Sequence, residues 1–115
     1  LGEKLYFVAS GTGIASFHSF VKSYPNIDYT LIHGVSYAAE AYEKETYEDA
    51  RYVLCTSRDN GGDFNGRVTS YLKGVDLDKN AYFYLCGNSA MIDDVYDILL
   101  EKGFPRERIR TEIYF

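Results

Sequence analysis

The tightest constraint on this chain is a rhythm. Short β-rich apolar runs, each closed by a glycine or a polar cluster, alternate with stretches whose apolar residues recur at helical spacing. Leu5 to Ser10 is the first run and Gly11 stops it, after which Ile14, Phe17, His18 and Val21 fall on one helical face. Tyr24-Pro25-Asn26 closes that helix. Tyr29 to Val35 is a second run, with Gly34 marking its end, and Arg51 to Thr56 is a third. Between these two, the segment from Ala38 to Tyr47 permits a helix but is heavily charged, which predicts an exposed one. The ten residues between Thr56 and Arg67 are all polar or glycine except Phe64, and Arg67-Val68 then opens a brief helical stretch to Leu72. Ala81 to Cys86 is the fourth run. Ile92, Val95, Tyr96, Leu99 and Leu100 then repeat at i, i+3, i+4, i+7 and i+8, an amphipathic helix that Asn88 or Ser89 can cap and that Gly103 and Pro105 terminate. Arg108 to Tyr114 is the last run.

Strands alternating with helices require right-handed crossovers, and those bury a parallel sheet on both faces. The expected fold is therefore α/β: a three-layer, doubly wound, five-stranded parallel sheet. With 115 residues, 46% of them hydrophobic, the chain suits a single domain over 1–115 that buries roughly two thirds of its unfolded surface. Twelve tyrosines and seven phenylalanines supply contact area with polar tips suited to layer edges.

Charge and cysteine usage narrow the function. A net charge of -5 opposes a nucleic-acid surface, which draws affinity from many Lys and Arg on phosphates; an anion site here has to be local. Apolar runs of at most about eight residues fall short of the ~20 that span a bilayer, and no charged-then-apolar leader opens the chain. Cys55 and Cys86 each lie inside an apolar run, without a CxxC pair or a flanking His at metal spacing. Two free thiols, no metal and a soluble, cytoplasmic setting are expected. The chain starts Leu1-Gly2 with a strand almost at once, which is expected of a piece of a longer polypeptide.

In such sheets ligands bind beyond the strand carboxyl ends, near the point where strand order reverses. Three segments sit there. In GTGIASF, Gly11 to Phe17, the glycines allow close backbone approach and the following helix offers unpaired N–H groups to a phosphate. Ser16 stands where the third glycine of GxGxxG would fall, so the segment reads either as a pyrophosphate cradle or as a tight strand-to-helix turn. The ribose test separates two cofactors. Ordinary NAD sites carry an Asp or Glu near the end of the second strand, whereas this strand ends His33-Gly34-Val35 with no carboxylate before Glu40.

The third strand ends Thr56-Ser57-Arg58, and Arg67 follows nine residues later across a Gly-Gly turn. A hydroxyl and two guanidiniums around one dianion favour NADP over NAD. At roughly 1.5 to 3 kcal/mol per charge-assisted hydrogen bond, two arginines give up to ~10²- to 10⁴-fold, reduced by solvent and slightly opposed by Asp59 and Asp63. A solvated loop with ordinary surface charges is the alternative. Cys86-Gly87 ends the fourth strand, where a small side chain beside a glycine admits a flat ring; a Cys used merely as a small hydrophobe fits as well. His18 and His33 read as packing or hydrogen-bonding groups rather than acid-base catalysts. Glu112-Ile113-Tyr114-Phe115 puts a carboxylate and two aromatics at the carboxyl end of the last strand.

Taken together, these residues resemble the NADP-binding domain of ferredoxin-NADP reductases, especially the bacterial flavodoxin-reducing kind, nearly end to end. The family's GTGIAPF turn is matched by Gly11 to Phe17, with Ser16 in place of proline. Its Ser-Arg pair and later basic residue match Ser57, Arg58 and Arg67, and its CGxxxM motif matches Cys86, Gly87 and Met91. Its Glu-x-Tyr ending matches Glu112 and Tyr114, with Phe115 beyond.

The resemblance implies strand order 3-2-1-4-5. It implies NADP held by Gly11, Thr12, Gly13, Ile14, His33, Gly34, Val35, Ser57, Arg58, Arg67, Cys86, Gly87 and Met91, with Cys86 near the carbon that exchanges hydride. It implies Glu112 at the active site and Tyr114 or Phe115 against the flavin. FAD would be bound mainly by an N-terminal β-barrel domain absent from these residues, so the isolated chain is expected to be inactive. The intact enzyme would exchange electrons with ferredoxin or flavodoxin. Related modules serve oxygenases, haem proteins or free flavins, and a non-catalytic NADP(H) sensor is a further alternative.

Overall fold

The apolar runs become strands of one parallel sheet in the structure, a computed structural model that describes residues 4–10, 17, 22–23, 26–41 and 51–113. In chain order the elements are β1 (Leu5–Ser10), β2 (Tyr29–Val35), β3 (Tyr52–Thr56), β4 (Phe64–Asn65), α1 (Val68–Gly74), β5 (Tyr82–Gly87), α2 (Ser89–Glu101) and β6 (Ile109–Ile113). Among the described residues, 3-10 turns lie at Ala38–Glu40 and Arg106–Arg108. The sheet order is β4-β3-β2-β1-β5-β6, with every neighbouring pair parallel.

The five expected strands keep their expected order, and a sixth, β4, adds two residues outside β3. Sequence periodicity is blind to it because a two-residue strand has no period. It forms because the polar loop after β3 is pulled back onto that strand. The Asp63 N–H donates to the Leu54 carbonyl at 2.8 Å, and the Leu54 N–H donates to Asp63 Oδ2 at 2.8 Å. Of the exposed helix expected from Ala38 to Tyr47, the structure shows a 3-10 turn at Ala38–Glu40; 42–50 lie outside the described residues. Of the helix expected after Gly11, backbone at 17 and 22–23 is helical and the rest lies outside the described residues.

Strand alternation sorts the core into two layers. Val8, Ile32, Cys55, Phe83 and Leu85 face α1 and α2, which contribute Val68, Leu72, Ile92, Val95 and Leu99. Phe7, Ala9, Leu31, Leu54 and Cys86 face the other way and pack with Phe17 and Ile27. Phe7 and Phe17 hold their ring centroids 4.1 Å apart. Each fully buried side chain of this size contributes about 1.5–3 kcal/mol, so the two layers together anchor the strand ends. Both cysteines are buried.

Local chemistry ends the helix that flanks the site. The Met91 N–H donates to Asn88 Oδ1 at 2.9 Å, the expected cap of α2. At the other end Gly103 adopts φ +96, and the Phe104 N–H donates to the Leu99 carbonyl at 3.1 Å.

Candidate functional site

The chain leaves β1 toward β2 and β3 on one side, then crosses back to place β5 on the other, so strand order reverses between β1 and β5. In open α/β sheets a reversal of this kind is where ligands bind, outside the carboxyl ends of the two strands. Ser10 ends β1 and Gly87 ends β5, with Ala9 and Cys86 in register one residue earlier. Gly87 has φ +151, and a Cβ there would overlap Ser10 Oγ and lie 3.0 Å from Met91 Cε. Only glycine permits that backbone and that approach. Asn88 Nδ2 donates to Ser10 Oγ at 3.5 Å, so one side chain both caps α2 and links it to the end of β1. The turn of Gly11, Thr12, Gly13 and Ile14 lies outside the described residues.

A second group of predicted residues gathers two strands away. Val35, Thr56 and Asn65 are in register across β2, β3 and β4. Pairing continues past the strands, since the Ser57 N–H donates to the Val35 carbonyl at 3.1 Å and the Arg58 N–H to the Ser36 carbonyl at 2.9 Å. The Gly66 N–H donates to the Thr56 carbonyl at 2.7 Å. Two residues on from the Thr56 and Asn65 pair stand Arg58 and Arg67, so both guanidinium stems leave the same end of neighbouring strands. Strand spacing is about 4.8 Å. Ser57, Arg58 and Arg67 are all exposed.

The carboxylates of this loop are committed to backbone. Asp59 Oδ2 accepts from the Ala38 N–H at 2.9 Å and Oδ1 from the Gly61 N–H at 3.0 Å. These bonds, that from Ala38 first, lower the Asp59 pKa below its ordinary value. Buried Thr56 donates its hydroxyl to the Asp59 carbonyl at 2.8 Å. Glu40, the first carboxylate after β2, accepts from the Tyr37 N–H at 2.8 Å. Tyr37 itself is exposed beside the β2 end. The sequence reading missed these staples, although Asp59-Asn60-Gly61 has the pattern of an Asx-turn, in which the carboxylate bonds backbone two residues on.

His33, Gly34 and Val35 are engaged by the fold. The His33 ring is buried, with Nδ1 2.7 Å from the Tyr52 hydroxyl, as a packing and hydrogen-bonding group. A Cβ on Gly34 would lie 2.8 Å from Val68 Cγ1, so its bare backbone admits α1. The Val35 carbonyl accepts from Ser57.

Cys86 is fully buried in the layer of Phe7 and Ala9, and β5–β6 register sets it beside Glu112. The Glu112 side chain, Tyr114 and Phe115 lie outside the described residues. Burial, and then the Asp63 charge, push the Cys55 thiol up to about 12. Among the described residues no group of three or more His, Cys, Asp or Glu is arranged to hold a metal, and no helix is long and apolar enough to cross a membrane.

Comparison with known proteins gives this arrangement relatives. The family described as "Oxidoreductase NAD-binding domain" matches residues 7–97. A flavodoxin/ferredoxin–NADP reductase from Buchnera aphidicola subsp. Schizaphis graminum (strain Sg) is 31% identical over an alignment of 132 residues, covering 96% of this chain and 51% of that protein. The chain thus spans about half the length of this curated relative. Among solved structures, flavohemoglobin from Malassezia yamatoensis with bound FAD and heme superposes with a TM-score of 0.86 at 22% identity, over 98% of this chain and 32% of that one. The flavohem-like FAD/NAD-binding domain of nitric oxide dioxygenase from Vibrio cholerae O1 biovar El Tor gives 0.80 at 21% identity, over 99% and 52%. The two structures share this fold.

Proposed function

The chain belongs to the oxidoreductase NAD-binding domain family, and from that premise we propose that it binds NADP(H) and presents the nicotinamide to an FAD held by another domain of a ferredoxin- or flavodoxin-NADP reductase. The observation that carries this reading is the register of Thr56 with Asn65, which starts Arg58 and Arg67 from equivalent positions on adjacent strands beside Ser57. Two cations and a hydroxyl suit a dianionic 2′-phosphate. Among the described residues, the first carboxylate after β2 is Glu40, and one of its oxygens already accepts the Tyr37 N–H.

The spacing agrees. From β5 to β3 is three strand separations, about 14 Å, a span suited to an extended dinucleotide lying along the carboxyl edge. In this reading the turn from Gly11 to Ile14 takes the pyrophosphate, and Cys86 with Gly87 and Met91 forms the surface under the nicotinamide. Glu112, Tyr114 and Phe115 close the flavin side. Bound NADP(H) and FAD supply the hydride chemistry, and this chain contributes orientation and charge. Ferredoxin or flavodoxin as the electron partner is supported by the name of the Buchnera relative.

Calorimetry with two ligands tests the reading. Arg58→Ala and Arg67→Ala each weaken 2′,5′-ADP about tenfold, the order expected of one exposed charge-assisted contact, and leave 5′-AMP within about twofold. Equal losses for both ligands, or none, remove the 2′-phosphate assignment.

A further inference from the structure

We infer that Asp59 is a positioning residue for 2′-phosphate recognition: its carboxylate clasps the loop that carries Arg58 to the turn after β2, and discrimination between phosphorylated and unphosphorylated adenosine depends on that clasp. The inference rests on the NADP(H) reading above and adds to it a residue that touches no ligand.

Charge alone points the other way. A carboxylate next in sequence to Arg58 repels a dianion, so a chain selected only for electrostatics would carry a neutral residue at this position. The hydrogen bonds explain the choice. The two carboxylate oxygens serve different amides, Oδ2 the Ala38 N–H at 2.9 Å and Oδ1 the Gly61 N–H at 3.0 Å. The Asp59 carbonyl also accepts the Thr56 hydroxyl at 2.8 Å. The residue therefore ties together the end of β3, the far side of its own loop and the turn after β2.

An independent contact marks the same seam. A Cβ on Gly61 would lie 2.6 Å from the Ala38 Cβ, so the loop rests directly on the turn. Arg58 lies between the clasp and the β2 pairing, its own N–H bonded to the Ser36 carbonyl at 2.9 Å. With Gly61 and Gly62 in the loop, release of the carboxylate loosens the stretch from Asp59 to Gly62, which lies between the Arg58–Ser36 bond and the Asp63–Leu54 pair.

The sign of one substitution separates the two effects. If Asp59 acts mainly through its charge, Asp59→Ala tightens 2′,5′-ADP; if it acts through position, Asp59→Ala weakens 2′,5′-ADP, by about tenfold for loss of charged hydrogen bonds, with 5′-AMP within about twofold. Ala38→Pro provides a second route that keeps every charge. It deletes the Ala38 N–H at the first position of a 3-10 turn, where proline fits, and Tyr37 before it already has φ -128 and ψ 142, as a residue preceding proline should.

The expected result is selective loss of 2′,5′-ADP affinity in both variants, read by calorimetry on the chain with circular dichroism confirming an unchanged fold. Tightened or unchanged 2′,5′-ADP binding in either folded variant, or equal losses for both ligands, overturns the inference. Should Asp59→Ala fail to fold, Ala38→Pro alone decides. Arg58→Ala measured alongside distinguishes the two levels. If it loses no selectivity, the NADP(H) reading fails; if it loses selectivity while Asp59→Ala and Ala38→Pro do not, the positioning role alone fails.

Discussion

Arg58 and Arg67 differ from the other surface cations in where their backbones are fixed. Each follows a strand residue by two positions, and those strand residues, Thr56 and Asn65, face one another across β3 and β4. Neither side chain is buried, so in the proposed site each would contribute at the exposed end of the range for charged contacts, and selectivity would come from the two acting on one group. Gly87 works through absence of a side chain. Its φ of +151 is a backbone that L side chains rarely adopt, and a Cβ there would have to push aside Ser10 Oγ and press on Met91 Cε. Gly87→Ala is expected to cost about 3 kcal/mol from backbone strain and overlap, measured by urea unfolding; a loss under about 0.5 kcal/mol would show that the end of β5 adapts freely.

At the scale of elements, β4 matters more than its length suggests. Two residues cannot hold a strand in place, and Asp63 supplies what pairing lacks by accepting from the Leu54 N–H while donating its own N–H to the Leu54 carbonyl. Asp63→Ala leaves the Leu54 N–H without its side-chain acceptor, costs about 1–2 kcal/mol, and speeds amide exchange at Leu54 and Gly66. Unchanged exchange at both amides would mean that β4 stands without the staple.

Here the limit of the sequence reading has a physical cause. β1, β2, β3, β5 and β6 were legible because alternating or continuous apolar residues betray a buried strand, and α2 was legible from its stripe and its Asn88 cap. The return of the chain as β4 depends on which amide a single carboxylate accepts, and that long-range choice leaves no local pattern. From sequence, Arg58 and Arg67 could be related only through a loop that folds back, whereas the pairing of Thr56 with Asn65 shows where that loop returns to β3. His33 went as expected of a packing group, because a histidine inside an apolar strand pairs most readily with a buried hydroxyl, here that of Tyr52.

At the scale of the whole molecule, the core quiets one of its thiols. Cys55, between β3 and the helical layer, has its thiol pushed up from 9.0 to about 12. The unfolded chain therefore releases this proton near pH 9 while the folded chain keeps it, so stability from this group is intact below pH 9 and falls as pH rises toward 12. Urea unfolding from pH 8 to 10.5 is expected to show that decline at no more than about 1.4 kcal/mol per pH unit from this residue, and Cys55→Ala flattens it; an equally steep decline in the variant would assign it elsewhere.

With a net charge of -5, the whole chain repels anions, and only its arranged cations can draw one in. The central claim is that the register-aligned arginine pair reads the 2′-phosphate. The most direct measurement is the ratio of 5′-AMP to 2′,5′-ADP dissociation constants in the parent chain and in Arg58→Ala/Arg67→Ala. The account predicts a ratio of about one hundred or more in the parent, collapsing to near one in the double variant; a ratio that survives loss of both guanidiniums would contradict it.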